Sequence, residues 1–104
     1  MNNRYARQVA FKHIGEQGQK MLEKSTVTII GCGALGTVCS ELLVRAGVGE
    51  VHLADRDYVE YSNLQRQQLF TERDAADSVP KVIAAKKRLQ SIQLRVKINI
   101  YFHT

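Results

Sequence analysis

Three features of the sequence predict an α/β fold built on a parallel sheet. A β-branched run, TVTII at residues 26–30, passes at once into GCGALG; a segment of helical period follows directly; and the strand-then-helix order recurs farther along. Residues 4–24, RYARQVAFKHIGEQGQKMLEK, mix polar and apolar positions with two glycines and read as a short helical arm followed by a helix from about Gln17 to Glu23. TVTII has the composition of a parallel strand buried on both faces. Leu35, Val38, Cys39, Leu42, Leu43 and Ala46 then recur at helical spacing, and Gly47 closes the segment.

EVHLA, residues 50–54, makes a second strand, after which DRDYVEYSNLQRQQLF carries neither period. A polar loop of roughly 25 residues is uncommon unless it is functional. Beyond it, Val82, Ala85, Leu89 and Ile92 mark a helix from Lys81 to Ser91, with Pro80 suited to its first turn. RVKINIY alternates Val96, Ile98 and Ile100 against Arg95, Lys97 and Asn99, as a strand with one drier face does. Right-handed crossovers place the three parallel strands in the order 3-2-1, the N-terminal half of a Rossmann-like doubly wound sheet preceded by a helical arm. In such a sheet the first strand has a neighbour on its other side, so a longer protein or an oligomer is expected to cover that edge.

A length of 104 residues with 44% hydrophobic and 24% charged content accommodates one domain, divided into an arm at 1–24 and the β-α-β-loop-α-β unit at 25–104. No window approaches the roughly 20 apolar residues of a membrane span, and the N-terminus lacks the apolar core of a signal peptide, so no membrane and a cytoplasmic address are expected. Cys32 and Cys39, seven positions apart on a glycine loop and its helix, read as reduced core thiols. A net charge of +5 suits nucleic acid, an acidic protein or a phosphate-rich ligand. Dispersed basic residues and only 7% aromatic content argue against nucleic acid.

Gly31, Gly33 and Gly36 fit GxGxxG in the context that gives it mechanical meaning, after a strand and opening a helix. The first permits the tight turn, the second lets a phosphate approach backbone amides, and the third lets helix and strand pack closely. Asp55 ends the second strand 24 residues after Gly31, where an acid either accepts ribose hydroxyls or ends a strand, and Asp57 either caps a turn or joins it. These features alone describe a fragment of an NAD-dependent oxidoreductase as well as any other nucleotide site. His13, His52 and His103 match no metal spacing.

The arm RYARQ, the loop SNLQRQ and Lys81 directly after Pro80 fit that description poorly. With GCGALG, RAGVG and DRD they resemble, in order and from Arg4 to Tyr101, the ThiF/MoeB/HesA family of bacterial relatives of ubiquitin-activating enzymes, and look closest to its thiamin-thiazole branch. The resemblance implies ATP-dependent adenylylation of the C-terminal glycine of a ubiquitin-like sulfur carrier, ThiS-like or MoaD-like, ending in Gly-Gly, for thiamin or molybdopterin biosynthesis. It implies that Gly31, Gly33 and Gly36 bring backbone to ATP, that Asp55 holds the ribose, and that Asn63, Arg66 and Gln67 line the phosphates. Lys81 would reach the phosphates from its helix start, and Arg7 would reach the neighbouring subunit's site in a homodimer. The family's Mg²⁺-binding aspartate, and the CxxC pairs that hold Zn²⁺ in some members, correspond to positions beyond residue 104. The 104-residue piece alone is therefore expected to bind nucleotide weakly and to be inactive. Two departures stand out: Ala34 replaces a glycine common in the family, and the interval from Asn63 to Lys81 is two residues longer than in many relatives. Besides the oxidoreductase, a dimerising module without catalysis is the remaining alternative.

Overall fold

The computed structural model describes residues 3–103; the first two residues of the arm and Thr104 lie outside them. The elements run α1 (Ala6–Ala10), α2 (Gly15–Glu23), β1 (Thr26–Ile30), α3 (Ala34–Ala46), β2 (Glu50–Asp55), a 3-10 turn (Tyr61–Asn63), α4 (Glu72–Ala76), α5 (Lys81–Ile92) and β3 (Lys97–Phe102). The strands are parallel with β2 central, the expected order, and Val27, Val51 and Ile98 lie abreast across the sheet. Alternate residues Val51, Leu53 and Ile98 point to one face and are buried beneath α3 and α5, together with Val44, Val82, Ala85 and Leu89.

The opposite face is polar. Glu50 and His52 of β2 stand beside Lys97, Asn99 and Tyr101 of β3, and His52 bonds both the Glu50 carboxylate at 2.7 Å and the Tyr101 hydroxyl at 2.9 Å. Thr26, Thr28 and Ile30 continue this face on β1 and are exposed, Ile30 to 81%. The expectation of a strand buried on both faces is therefore corrected: β1 is an edge, and among the described residues α3 covers only its inner side. No helix among them is long and apolar enough to cross a membrane.

Helix α3 also turns a different side inward than its apolar period suggested. Leu35, Cys39 and Leu42 face solvent, whereas Thr37, Ser40 and Val44 are buried. Close approach of helix to sheet selects small residues, and the two hydroxyls are satisfied within the helix: Thr37 Oγ1 donates to Gly33 O at 2.7 Å and Ser40 Oγ to Thr37 O at 3.1 Å. Cys39 is consequently a surface thiol and only Cys32 belongs to the core.

The long loop after β2 is not featureless. Thr71 opens α4 as its N-cap, accepting from Asp74 N–H at 3.2 Å while Asp74 accepts from Thr71 N–H at 3.0 Å. The periodicity of five residues is too short to register, but the Thr-x-x-acid spacing was legible. α5 begins at Lys81 as expected, with Pro80 at its N-cap, whereas α2 begins at Gly15 rather than Gln17.

Candidate functional site

The glycine turn builds one wall of the site. Gly31 holds φ 100°, a conformation that favours glycine, and its N–H donates to Ala54 O at 2.7 Å, joining the end of β1 to β2. A Cβ on Gly36 would overlap the Gly31 carbonyl oxygen, so the first turn of α3 lies directly against the loop. Gly33 is the N-cap of α3 and gives it no side-chain cap. A Cβ there would meet only Gln67 Nε2, at 4.0 Å, which leaves the helix N-terminus open to an anion. Ala34 is accommodated because Ser78 alone among the described non-glycine residues has positive φ.

Asp55 fastens this loop to the end of β2. Its Oδ2 accepts Cys32 N–H at 2.6 Å and its Oδ1 accepts Asp57 N–H at 2.7 Å. Asp55 thus organises both turns, and each oxygen keeps lone-pair capacity for a hydroxyl. Asp57 in turn accepts Lys81 N–H at 2.9 Å through its carbonyl oxygen, while Val59 N–H donates to Val79 O at 2.8 Å. These bonds draw the start of α5 toward the ends of β1 and β2. Lys81 is buried there, 7% exposed.

Cys32 reports how close the charges are. Burial chiefly, then the Asp55 carboxylate, push its thiol up to about 12, and the Lys81 ammonium partly opposes them. A group with so raised a value stays protonated through the physiological range. Only Cys39 should therefore react quickly with a thiol-modifying reagent at pH 8, with Cys32 following on unfolding; rapid modification of both in the folded chain would contradict this burial.

The SNLQRQ segment supplies the facing wall. Asn63 is buried, and its Oδ1 accepts Glu60 N–H at 2.8 Å, closing the 3-10 turn. Gln67 is 4% exposed, and its Oε1 has no hydrogen-bond partner among the described residues. A buried carbonyl oxygen left unpaired beside an open glycine marks space for a hydrogen-bond donor of a ligand. Arg66 is exposed on the rim, its Nη1 donating to Ser62 O at 3.0 Å. The structure therefore gathers Gly31, Gly33, Gly36, Asp55, Gln67 and Lys81, with Asn63 shaping the loop behind them.

Arg7 is not among them. Its helix α1 docks at the far end of α3, where Gln8 Nε2 donates to Ala46 O at 3.0 Å, about 20 Å along the helix from Gly33. Sequence reading passed over Cys32 as part of the site and Glu41 as a support of its loop. The Glu41–Arg45 spacing of four was visible, but the Gln68 Nε2 to Glu41 Oε1 bond of 2.9 Å spans 27 residues and was not.

Fold and site together define a Rossmann-like α/β unit whose glycine turn and buried lysine converge beyond the C-terminal ends of parallel strands. Residues 5–104 match the ThiF family, and the chain belongs to it. It is 57% identical over 99 residues to the sulfur carrier protein ThiS adenylyltransferase of Bacillus subtilis, covering 95% of this chain and 30% of that protein. The molybdopterin-synthase adenylyltransferase of Haemophilus influenzae is 43% identical over 96 residues, 92% of this chain and 39% of its own length. A crystal structure of E. coli MccB with ATP superposes with a TM-score of 0.87 at 31% identity, over 100% of this chain and 32% of that one. The chain thus spans about a third of the length of the relatives it matches.

Among the described residues no group of three or more His, Cys, Asp or Glu side chains is arranged to hold a metal ion. No chemical step is assigned to a metal ion.

Proposed function

We propose that this chain supplies the ATP-binding part of an adenylyltransferase that activates the C-terminal glycine of a ubiquitin-like sulfur carrier protein ending in Gly-Gly. The observation that carries the reading is the meeting of an uncapped helix N-terminus at Gly33, the unpaired buried amide of Gln67 and the buried Lys81. The first and third of these offer positive potential to a phosphate, and the Gln67 carbonyl oxygen offers a fixed acceptor to a hydroxyl or amino group of the nucleotide. Identity to the ThiS adenylyltransferase favours a ThiS-like carrier and thiamin biosynthesis over a MoaD-like carrier and molybdopterin. Two free thiols support a cytoplasmic address.

In this reading a carrier carboxylate oxygen attacks the α-phosphorus of ATP in line. The new O–P bond forms as the bond to the β-phosphoryl oxygen breaks, and pyrophosphate leaves with the electron pair. The chain needs no nucleophile of its own, so its contribution is positioning and charge neutralisation. Gly33 and Gly36 bring the α3 N-terminus to the phosphates, Lys81 and Arg66 neutralise the developing charge, Asn63 and Gln67 orient the α-phosphoryl group, and Asp55 accepts from the ribose. Arg7, remote from its own chain's site, is assigned to the site of a second subunit.

The test places this chain in the matching segment of the B. subtilis relative and measures exchange of pyrophosphate into ATP. Exchange should require a carrier ending in Gly-Gly and should fall about 100-fold in Arg66→Ala. Carrier-independent exchange, or tight NADH binding with no response to ATP, would overturn the reading.

A further inference from the structure

We propose that Gln68 and Glu41 form a latch that holds the SNLQRQ segment in register along α3, which makes both positioning residues for nucleotide binding; the inference rests on the function proposed above. Residues 64–67 are bonded almost entirely back to residues 61–63 of the same loop. Leu64 N–H donates to Tyr61 O, the Arg66 and Gln67 amides donate to Asn63 O, and Arg66 Nη1 donates to Ser62 O. Among the described residues, the bond from Gln68 Nε2 to Glu41 Oε1, at 2.9 Å, is the one side-chain hydrogen bond that ties residues 64–68 to a separate element.

Glu41 is itself held. Its second carboxylate oxygen accepts from Arg45 Nε at 2.9 Å, so Arg45, Glu41 and Gln68 form a chain from the body of α3 to the loop. The bond from Arg45, with help from Gln68 and the nearby Arg88 of α5, holds the Glu41 carboxyl below its usual range, so the acceptor is charged and the hydrogen bond charge-assisted. Gln67, next in sequence, reaches toward Gly33 of the same helix. The loop is thus fixed at two points along α3 about 12 Å apart. Sliding along the helix would carry the Gln67 amide and Arg66 away from the glycine turn, and the latch opposes that displacement.

In the B. subtilis chimera, Gln68→Ala and Glu41→Ala should each raise the KM for ATP and lower kcat, because Gln67 and Arg66 move with the loop, for about a tenfold fall in kcat/KM. Glu41→Gln keeps an acceptor oxygen for Gln68 and should restore most of that loss. Gln68 is exposed, so its truncation does not threaten the fold. In the 104-residue chain itself, both alanine variants should speed hydrogen exchange at the amides of residues 64–68. An unshifted kcat/KM in an active chimera, or Glu41→Gln as impaired as Glu41→Ala, would overturn the latch alone. A parent chimera that catalyses no exchange overturns the proposed function and the latch with it.

Discussion

Gly36→Ala is expected to lower the thermal unfolding midpoint of this chain by roughly 12–24 °C, the equivalent of about 3 kcal/mol in a domain of this size. The added methyl would overlap the carbonyl oxygen of Gly31, which is backbone and cannot swing aside. Gly31 is itself fixed by its bond to Ala54 O, so α3 must be displaced from β1 or the turn must break. Gly33→Ala is the matched control. Its methyl meets only a glutamine nitrogen at 4.0 Å and its φ of −92° suits any residue, so the fold should survive while the space before the helix is filled. Circular dichroism melts of the two variants decide the matter, and a Gly36→Ala midpoint within a few degrees of the parent would refute the packing described for the third glycine.

The second large effect concerns Lys81. In the chimera, Lys81→Met should reduce pyrophosphate exchange by about 10²–10³-fold, the usual cost of deleting a preorganised charge from a transition state. Methionine retains the buried apolar stem and removes the ammonium, so stability should be unchanged or slightly increased, since a buried charge is costly to keep. Activity and melting temperature are thereby expected to separate. Exchange within about threefold of the parent would remove Lys81 from the chemistry, and a large drop in melting temperature would make it a structural residue instead.

Much of this was legible in the sequence because it is local. TVTII followed by GCGALG fixed a strand, a turn and a helix start at their observed positions, since β-branched composition and glycine freedom act over a few residues. The pairing of Pro80 with Lys81 located the start of α5 in the same way. The apolar period of α3 does not mark its inner face. Close approach of the helix to the sheet favours the small Thr37 and Ser40 on its inner side and leaves Leu35 and Leu42 exposed. α4 escaped notice because a five-residue helix is recognised by its Thr71–Asp74 cap rather than by any period.

At the site, the residue types were legible and their division of labour was not. The position of Asp55 after β2 is legible, but that both its oxygens also accept backbone amides of the two turns depends on where Cys32 and Asp57 come to rest. The burial of Lys81 and the orphaned amide of Gln67 arise from the packing of α5 and the loop against the strand ends.

The sequence by itself determined the order of strands and helices, the glycine turn and the family, because each is encoded in neighbouring residues and their spacing. Only the tertiary structure decided which face of α3 is buried, that the outer face of β1 is exposed, and that Gln68 is tied to Glu41. Those outcomes depend on contacts between segments far apart in the chain, where close packing and hydrogen-bond satisfaction select among faces that local propensity leaves equal.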